Sequence, residues 1–457
     1  MLRDHARSVA GITAALLLPL GGLAAATPAG AAESAEAAAP PAGIADLKTG
    51  FEQRNGADWT TLEEEQAFLA ELDRLSPRVE VDVVGETTQG RPLNLVKMGA
   101  PAPKTQAQAQ RGRTVLFLCS QHGDEPSGRE SCLVSMRDLA ATTDPALVRE
   151  LRNVTVLFVP TANPDGRAAD TRGNANGVDI NRDHLQLQTP EAQSTARLIR
   201  DWRPEVVHDL HEFGPSKDYD RQLIHLWPRN LNVDDTVHDL AKSLSQDFVG
   251  PAAVRNGYTT GIYGLLYAGD EPYAQVAGDE DERILRNMTG LRQSAGLLVE
   301  ANNEATTPAE EDDQLLLNRR RVTTQNIGIQ ATLEFLRAKG TQLQAATVTA
   351  RQEAIAEGRA ADRPVYWNGA DNRIPNPTEV LADPPCGYLL TPEQAAGIRT
   401  QLDLHGIQRS RAGADVYVPM SQPAEGVIPL LLDARADYEL VPARPLTCDA
   451  AAAQALL

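Results

Sequence analysis

The sequence predicts an α/β protein: a mixed, mostly parallel sheet with helices on both faces, followed by a small C-terminal α+β domain. Two observations carry this. Continuous apolar runs alternate with helical stretches, the pattern of strands buried on both faces and joined by right-handed crossovers. Polar residues also gather where those runs end, and in such sheets ligands bind at the carboxyl ends of the strands. The 457 residues suffice for two or three domains with a well-buried core.

In chain order, residues 1–32 place Arg3 and Arg7 ahead of an apolar stretch and finish on small residues near Ala31 and Ala32. This is the layout of a cleavable signal peptide. Pro19, Gly21 and Gly22 interrupt the stretch as a spanning or buried helix. Residues 33–44, with ESAEAAAPPAG, have the composition of a disordered linker. The mature chain is therefore expected outside the cell, with no membrane span and no large pro-domain.

A catalytic domain is expected over 45–340. LEEEQAFLAELDRLSP (62–77) has helical spacing and stops at Pro77; VEVDVVGET (79–87) alternates like a strand; QGRP (89–92) is a turn; LNLVKMG (93–99) is a second strand. RTVLFLCS (113–120), VTVLFVPT (154–161), PEVVHDLHE (204–212) and AGLLVEANN (295–303) are buried strands, with helices over 127–140 and 190–202 between them. A helix-rich segment (312–338) leads to the C-terminal domain, 345–457. There, TPEQAAGIRTQLDLHG (391–406) is a helix with Thr391 as N-cap, Gln394 three residues on and Gly406 as its stop. His405 is expected on the surface near that helix end.

A net charge of −19 without a dense Lys/Arg run argues against nucleic acid and anionic membrane surfaces as partners. Of four cysteines, Cys386 and Cys448 are expected to bridge in the C-terminal domain, and Cys119 to be a packed thiol.

The strand ends carry the chemistry. His122 and Glu125 follow 113–120, Asn163-Pro-Asp-Gly166 follows 154–161, His211 and Glu212 close 204–210, and Glu300 ends 295–299. A hydrolytic zinc site needs three N or O ligands and one open position. His122, Glu125 and His211 can supply them, and zinc lowers the pKa of a bound water from about 15.7 towards about 7. Glu300 suits the carboxylate that takes the proton. An Arg should stabilise the oxyanion, and an Arg fork with an amide should hold a substrate carboxylate. His208 and His211 are three apart on a strand and point to opposite faces, so His208 is expected to pack.

HGDE (122–125), NPDG (163–166), NGVDINR (176–182), DLHE (209–212) and LLVE (297–300), with GETTQGRPL (85–93) before them, occur in this order over roughly 45–340. In this the chain resembles the zinc carboxypeptidases of the A/B type, the funnelins, in a bacterial secreted form. The resemblance implies one zinc per catalytic domain on His122, Glu125 and His211, and Glu300 as general base. It implies Asn181 and Arg182 on the C-terminal carboxylate, and Arg172, with Arg167 second, polarising the carbonyl. The capping tyrosine would be Tyr273, with Tyr267 second. Asp124 stands where digestive members carry Arg, as in branches acting on cell-wall peptides or acylated amino acids. If one of Asp270, Glu271, Asp279, Glu280 or Asp281 pointed into the specificity pocket, basic C-terminal residues would be preferred. The expected activity is removal of a C-terminal residue from peptides. The alternatives are an amidase or peptidase on peptidoglycan stem peptides or acyl-amino acids, and an inactive binding module.

Overall fold

The computed structural model describes residues 43–103, 105–214, 221–269 and 271–454; the side chains of Tyr273 and of 452–454 are not among those described. The expected signal peptide (1–32) and all but the last two residues of the expected linker (33–44) lie outside the described residues.

The strands are β1 (Val79–Glu86), β2 (Pro92–Met98), β3 (Arg113–Cys119), β4 (Val154–Val159), β5 (Val206–Phe213), β6 (Leu223–Leu226), β7 (Thr260–Ile262), β8 (Leu265–Ala268), β9 (Glu271–Gln275) and β10 (Ala295–Asn302). All but β8 and β9, which form a hairpin of their own, join one sheet in the order β1-β2-β4-β3-β5-β10-β6-β7. β4, β3, β5 and β10 are parallel neighbours, so their carboxyl ends share one edge. β1 and β2 extend one side antiparallel, and β6 flanks β10 antiparallel.

Successive residues of a strand face opposite sides, and β3 divides accordingly. Val115, Phe117 and Cys119 pack with Leu133 and Met136 of the Ser127–Ala141 helix and with Ile329 and Leu333 of the Gln314–Ala360 helix. Leu116 and Leu118 pack with Leu198, Ile199 and Trp202 of the Pro190–Trp202 helix. This is the two-sided burial expected from continuous apolar runs.

Cys119 is a correction: it is bridged to Cys132. Both residues are fully buried, and the connection folds the Ser127–Ala141 helix back across the end of β3, which puts Cys132 beside the strand's last residue. The bridge closes a loop of 13 residues that contains His122 and Glu125. The double substitution Cys119→Ser/Cys132→Ser is expected to cost about 3 kcal/mol of stability, the loop-closure entropy of such a loop. Urea unfolding of the oxidised chain and the variant checks this.

The Gln314–Ala360 helix runs 47 residues, without a break at 340–345 where the C-terminal domain was expected to begin. Its second half contains no proline, and Leu343, Thr347, Ala350, Ala354 and Gly358 repeat at three- and four-residue steps as a buried stripe of mostly small residues. Beyond it, Ser410–Ala412, Asp415–Pro419, Gly387–Leu390 and Arg444–Leu446 form a four-stranded antiparallel sheet in that order, with Cys386 bridged to Cys448 as expected. The expected 391–406 helix is two short ones, Pro392–Gly397 and Arg399–Leu404, behind a Thr391–Gln394 capping box.

His405 is a second correction. It is 3% exposed, its Nε2 lies 2.7 Å from the Leu185 carbonyl, and burial pushes its pKa down to about 3. The C-terminal segment turns inward there: Leu402 and Leu430 share a core with Leu185, Met288 and Leu291.

Candidate active site

β3 stops at Cys119, and Ser120 takes a left-handed φ of 52° that turns the chain across the sheet edge. Gly123 then passes so close to the backbone of Gly166 and Arg167 that a Cβ would collide with it. The turn delivers His122 and Glu125 to the carboxyl end of β5. Glu125 Oε1 lies 2.7 Å from His122 Nδ1, and its Oε2 lies 2.9 Å from His211 Nδ1 while accepting the Glu212 amide at 3.0 Å. The two Nδ1 atoms are 3.0 Å apart.

His122, Glu125 and His211 each offer a ligand atom, all within 4.8 Å of one another. Two imidazoles cannot both keep a proton in the 3.0 Å gap between their Nδ1 atoms, whereas a cation facing both lone pairs and the carboxylate satisfies all three. Donor chemistry fits zinc: two nitrogens and one oxygen, with a fourth position left over. Burial opposes charge on both imidazoles, but Glu125 outweighs it at His122, and Asp209 with Glu125 outweighs it more strongly at His211. Burial likewise opposes ionisation of Glu125, yet the two histidines hold its carboxyl far below the ordinary range.

Each histidine is oriented from behind by a carboxylate that sequence reading missed. Asp209 lies 2.7 Å from His211 Nε2, and Asp179 lies 3.1 Å from His122 Nε2. Spacing held a signal for Asp209, since it is two residues before His211 on a strand and therefore on the same face. Asp209 is held in turn by Gln121 Nε2, 3.1 Å from each of its oxygens, and by Asn181 Nδ2 at 3.3 Å. Such partners fix the ring and raise ligand basicity. Asp209→Asn is expected to weaken zinc binding about 10- to 100-fold, read by competition with a chelating dye.

The long helix braces β5 from below. Arg321 pairs with Glu212 at 2.6 Å, and Gln325 donates to the His211 carbonyl. His208 faces this helix, with Nδ1 3.0 Å from Thr332 Oγ1, and packs as expected. The lead-in GETTQGRPL docks on the NPDG turn, where Asp165 accepts from Thr87 Oγ1, the Gln89 amide and Arg91 Nη1.

The trio opens into a cleft of about 310 Å³ that is also lined by Arg172, Asn181, Arg182, Tyr263, Arg286 and Glu300. Glu300 is the Cα partner of His211 across β10 and β5. Burial, helped by the charge of Glu125 and opposed by that of His211, raises its pKa to about 7. Arg172 Nη1 lies 3.1 Å from His122 Nδ1 and 3.5 Å from Glu125, while its Nη2 is anchored by Asp179 at 2.9 Å. Arg167 does not line the cleft; it donates to the Gly123 carbonyl at 2.6 Å and fixes the ligand loop.

Both members of the expected carboxylate-binding pair line the cleft. Asn181 is buried, with its amide near Asp209 and His211 and its oxygen accepting the Leu285 amide at 2.9 Å. Arg182 is more exposed, and its guanidinium lies 3.8 Å from Asp281. Tyr273 sits on β9 with its side chain outside the described residues, and the Tyr267 hydroxyl accepts the Ile262 amide. Among the described residues Tyr263 is the tyrosine lining the cleft, and no motif in its stretch singled it out. Asp124 is exposed and outside the lining.

Residues 65–213 match the model of the zinc carboxypeptidase family, a span that holds His122, Glu125, Arg172, Asn181, Arg182 and His211 but not Glu300. The chain is 28% identical over 247 residues to carboxypeptidase 2 of Trichophyton rubrum, covering 51% of this chain and 45% of that protein. To carboxypeptidase E of Caenorhabditis elegans it is 27% identical over 250 residues, covering 50% and 48%. The chain thus spans about half the length of the curated relatives it matches. A solved metallo-carboxypeptidase from Burkholderia cenocepacia aligns over 61% of this chain and 69% of its own, at 18% identity and a TM-score of 0.47.

Proposed function

We propose, from the match of residues 65–213 to the zinc carboxypeptidase family model, that the chain is an exported, zinc-dependent metallocarboxypeptidase that hydrolyses the C-terminal peptide bond of peptides. The observation that carries this is the convergence of His122, Glu125 and His211 on one cleft that also holds Glu300 and three arginines, Arg172, Arg182 and Arg286.

His122, Glu125 and His211 would hold the ion, one per domain. When bound, zinc supplies Lewis acidity, which activates water and polarises the scissile carbonyl. The remaining work falls to the chain. Arg182 binds the substrate's terminal carboxylate, with Asn181 beside it holding the Asp209–His211 pair. Glu300 takes the proton of the attacking water and delivers it to the leaving amine. Arg172, kept in place by Asp179, faces the carbonyl oxygen as it gains charge. A tyrosine of the 258–273 segment, Tyr263 or Tyr273, closes over the bound residue.

Export is supported by the signal-like residues 1–32 and by two disulfides, which persist in oxidising compartments. Among the described residues no helix is long and apolar enough to cross a membrane. The test is C-terminal trimming of a peptide library and of muropeptides, with and without a zinc chelator. Chelator-sensitive release of single C-terminal residues from peptides supports the reading, and release from muropeptides alone sinks it.

A further inference from the structure

Arg286 is 2% exposed and lines the cleft shared by Glu300 and Arg182. Other buried arginines of this chain sit on carboxylates: Arg129 on Glu65 at 2.6 Å, Arg321 on Glu212 at 2.6 Å, Arg320 on Glu310 at 3.1 Å. Arg286 does not. Its Nη2 donates to the Asp279 main-chain carbonyl at 2.5 Å, and its Nε has no partner. The Asp279 carboxylate stands 3.9 Å away on a side chain that is 64% exposed. A buried charge is tolerated when it is paired, so this guanidinium calls for an anion.

Asp270 lies outside the described residues; of the other acids expected to favour basic residues, Asp279 lines the cleft with a largely exposed side chain, and the rest are paired elsewhere or exposed. Glu280 pairs with Arg373 at 2.8 Å and Asp281 with Arg283 at 2.8 Å, while Glu271 and Asp279 are exposed. The Leu285 amide is bound to Asn181 Oδ1, which ties the start of the Leu285–Leu291 helix to the turn carrying Arg182. One cleft therefore presents two cations on tethered neighbouring segments.

We propose that Arg286 receives the side-chain carboxylate of the residue to be released, so that the cleft selects peptides ending in an acidic residue. This deepens the carboxypeptidase reading and rests on it: Arg182 takes the terminal carboxylate, Arg286 the second one.

The test uses the zinc-loaded chain and blocked dipeptides ending in Glu, Gln, Leu or Lys. The Glu peptide is expected to exceed its neutral isostere Gln in kcat/KM by about tenfold to a hundredfold, the worth of one charge-assisted hydrogen-bonded pair. In Arg286→Met that ratio should fall to about one while turnover of the Leu peptide stays within about threefold. Arg286→Lys should retain part of the ratio. Asp279→Asn, which removes the carboxylate 3.9 Å from Arg286, should raise it. Hydrolysis with Gln equal to or better than Glu, or an unchanged ratio in Arg286→Met, overturns the role of Arg286. Uniform loss on all peptides in both Arg286 variants, with no Glu preference in the parent, makes Arg286 a structural prop and also overturns it. If the zinc-loaded parent cleaves none of the four peptides, the carboxypeptidase reading itself has failed.

Discussion

Glu300→Gln is expected to lower kcat/KM at pH 7.5 by about a thousandfold, with zinc content unchanged. Glu300 is outside the donor trio yet opposite His211 in the sheet, so the substitution removes a base while leaving the ligand strand intact. The amide keeps the size of the carboxyl and cannot accept the proton. The pH profile gives a second readout. Burial first, then the charge of Glu125, raises the Glu300 pKa to about 7, and a bound cation draws it down. The active form is the carboxylate, so wild-type kcat/KM should rise with pH along an acid limb at or below pH 7. That limb should vanish in the variant. Without zinc the sign reverses for stability. A carboxyl whose folded pKa is raised binds more protons folded than unfolded, so stability falls as pH climbs from about 4.5 to 7. The metal-free Glu300→Gln chain should therefore be the more stable of the two at pH 8. Near-wild-type turnover in this variant would falsify the assignment of the base.

His211→Ala is expected to abolish stoichiometric zinc binding and activity together, and to destabilise the metal-free chain by about 3–5 kcal/mol. The imidazole stands between Glu125 at 2.9 Å and Asp209 at 2.7 Å, all three buried, and its removal leaves two carboxylates without their shared partner. The pH window follows from the shifts. Glu125 is depressed from 4.5, so its contribution is present above about pH 4.5 and fades as pH falls. His211 is raised well above 6.5, so its contribution is complete below about pH 6.5 and fades as pH rises through the folded value. The variant's deficit in urea unfolding should be largest between about pH 4.5 and 6.5. A variant that still binds one zinc tightly would place the metal elsewhere.

Much of the arrangement was legible without coordinates because strand burial and strand ends are written in period and composition. The runs from Arg113, Val154, Val206 and Ala295 emerged as parallel neighbours, and the polar residues that follow or close them share one edge. His208 and His211 parted to opposite faces because a strand alternates. Asp179 escaped notice because nothing local marks an acid that serves a histidine from another loop, whereas Asp209 shares the strand of His211 and its spacing of two was the signal passed over. The Cys119–Cys132 bridge was missed for a related reason: an apolar strand end suits a packed thiol until the returning helix is placed beside it.

By itself, then, the sequence determined which residues could serve as donors, base and cations, and the strand ends that bear them, since apolar runs must be buried and parallel strands must align their carboxyl ends. The tertiary structure decided what each polar group faces. It set Asn181 against Asp209, gave Arg167 to the ligand loop, paired Glu280 and Asp281 with arginines, and left the Asp279 carboxylate largely exposed at the cleft. It also left Arg286 in the cleft with, among the described residues, no buried carboxylate paired to it. The physical reason is that a charge's role is set by its burial and by the nearest opposite charge, and both come from segments distant in the chain.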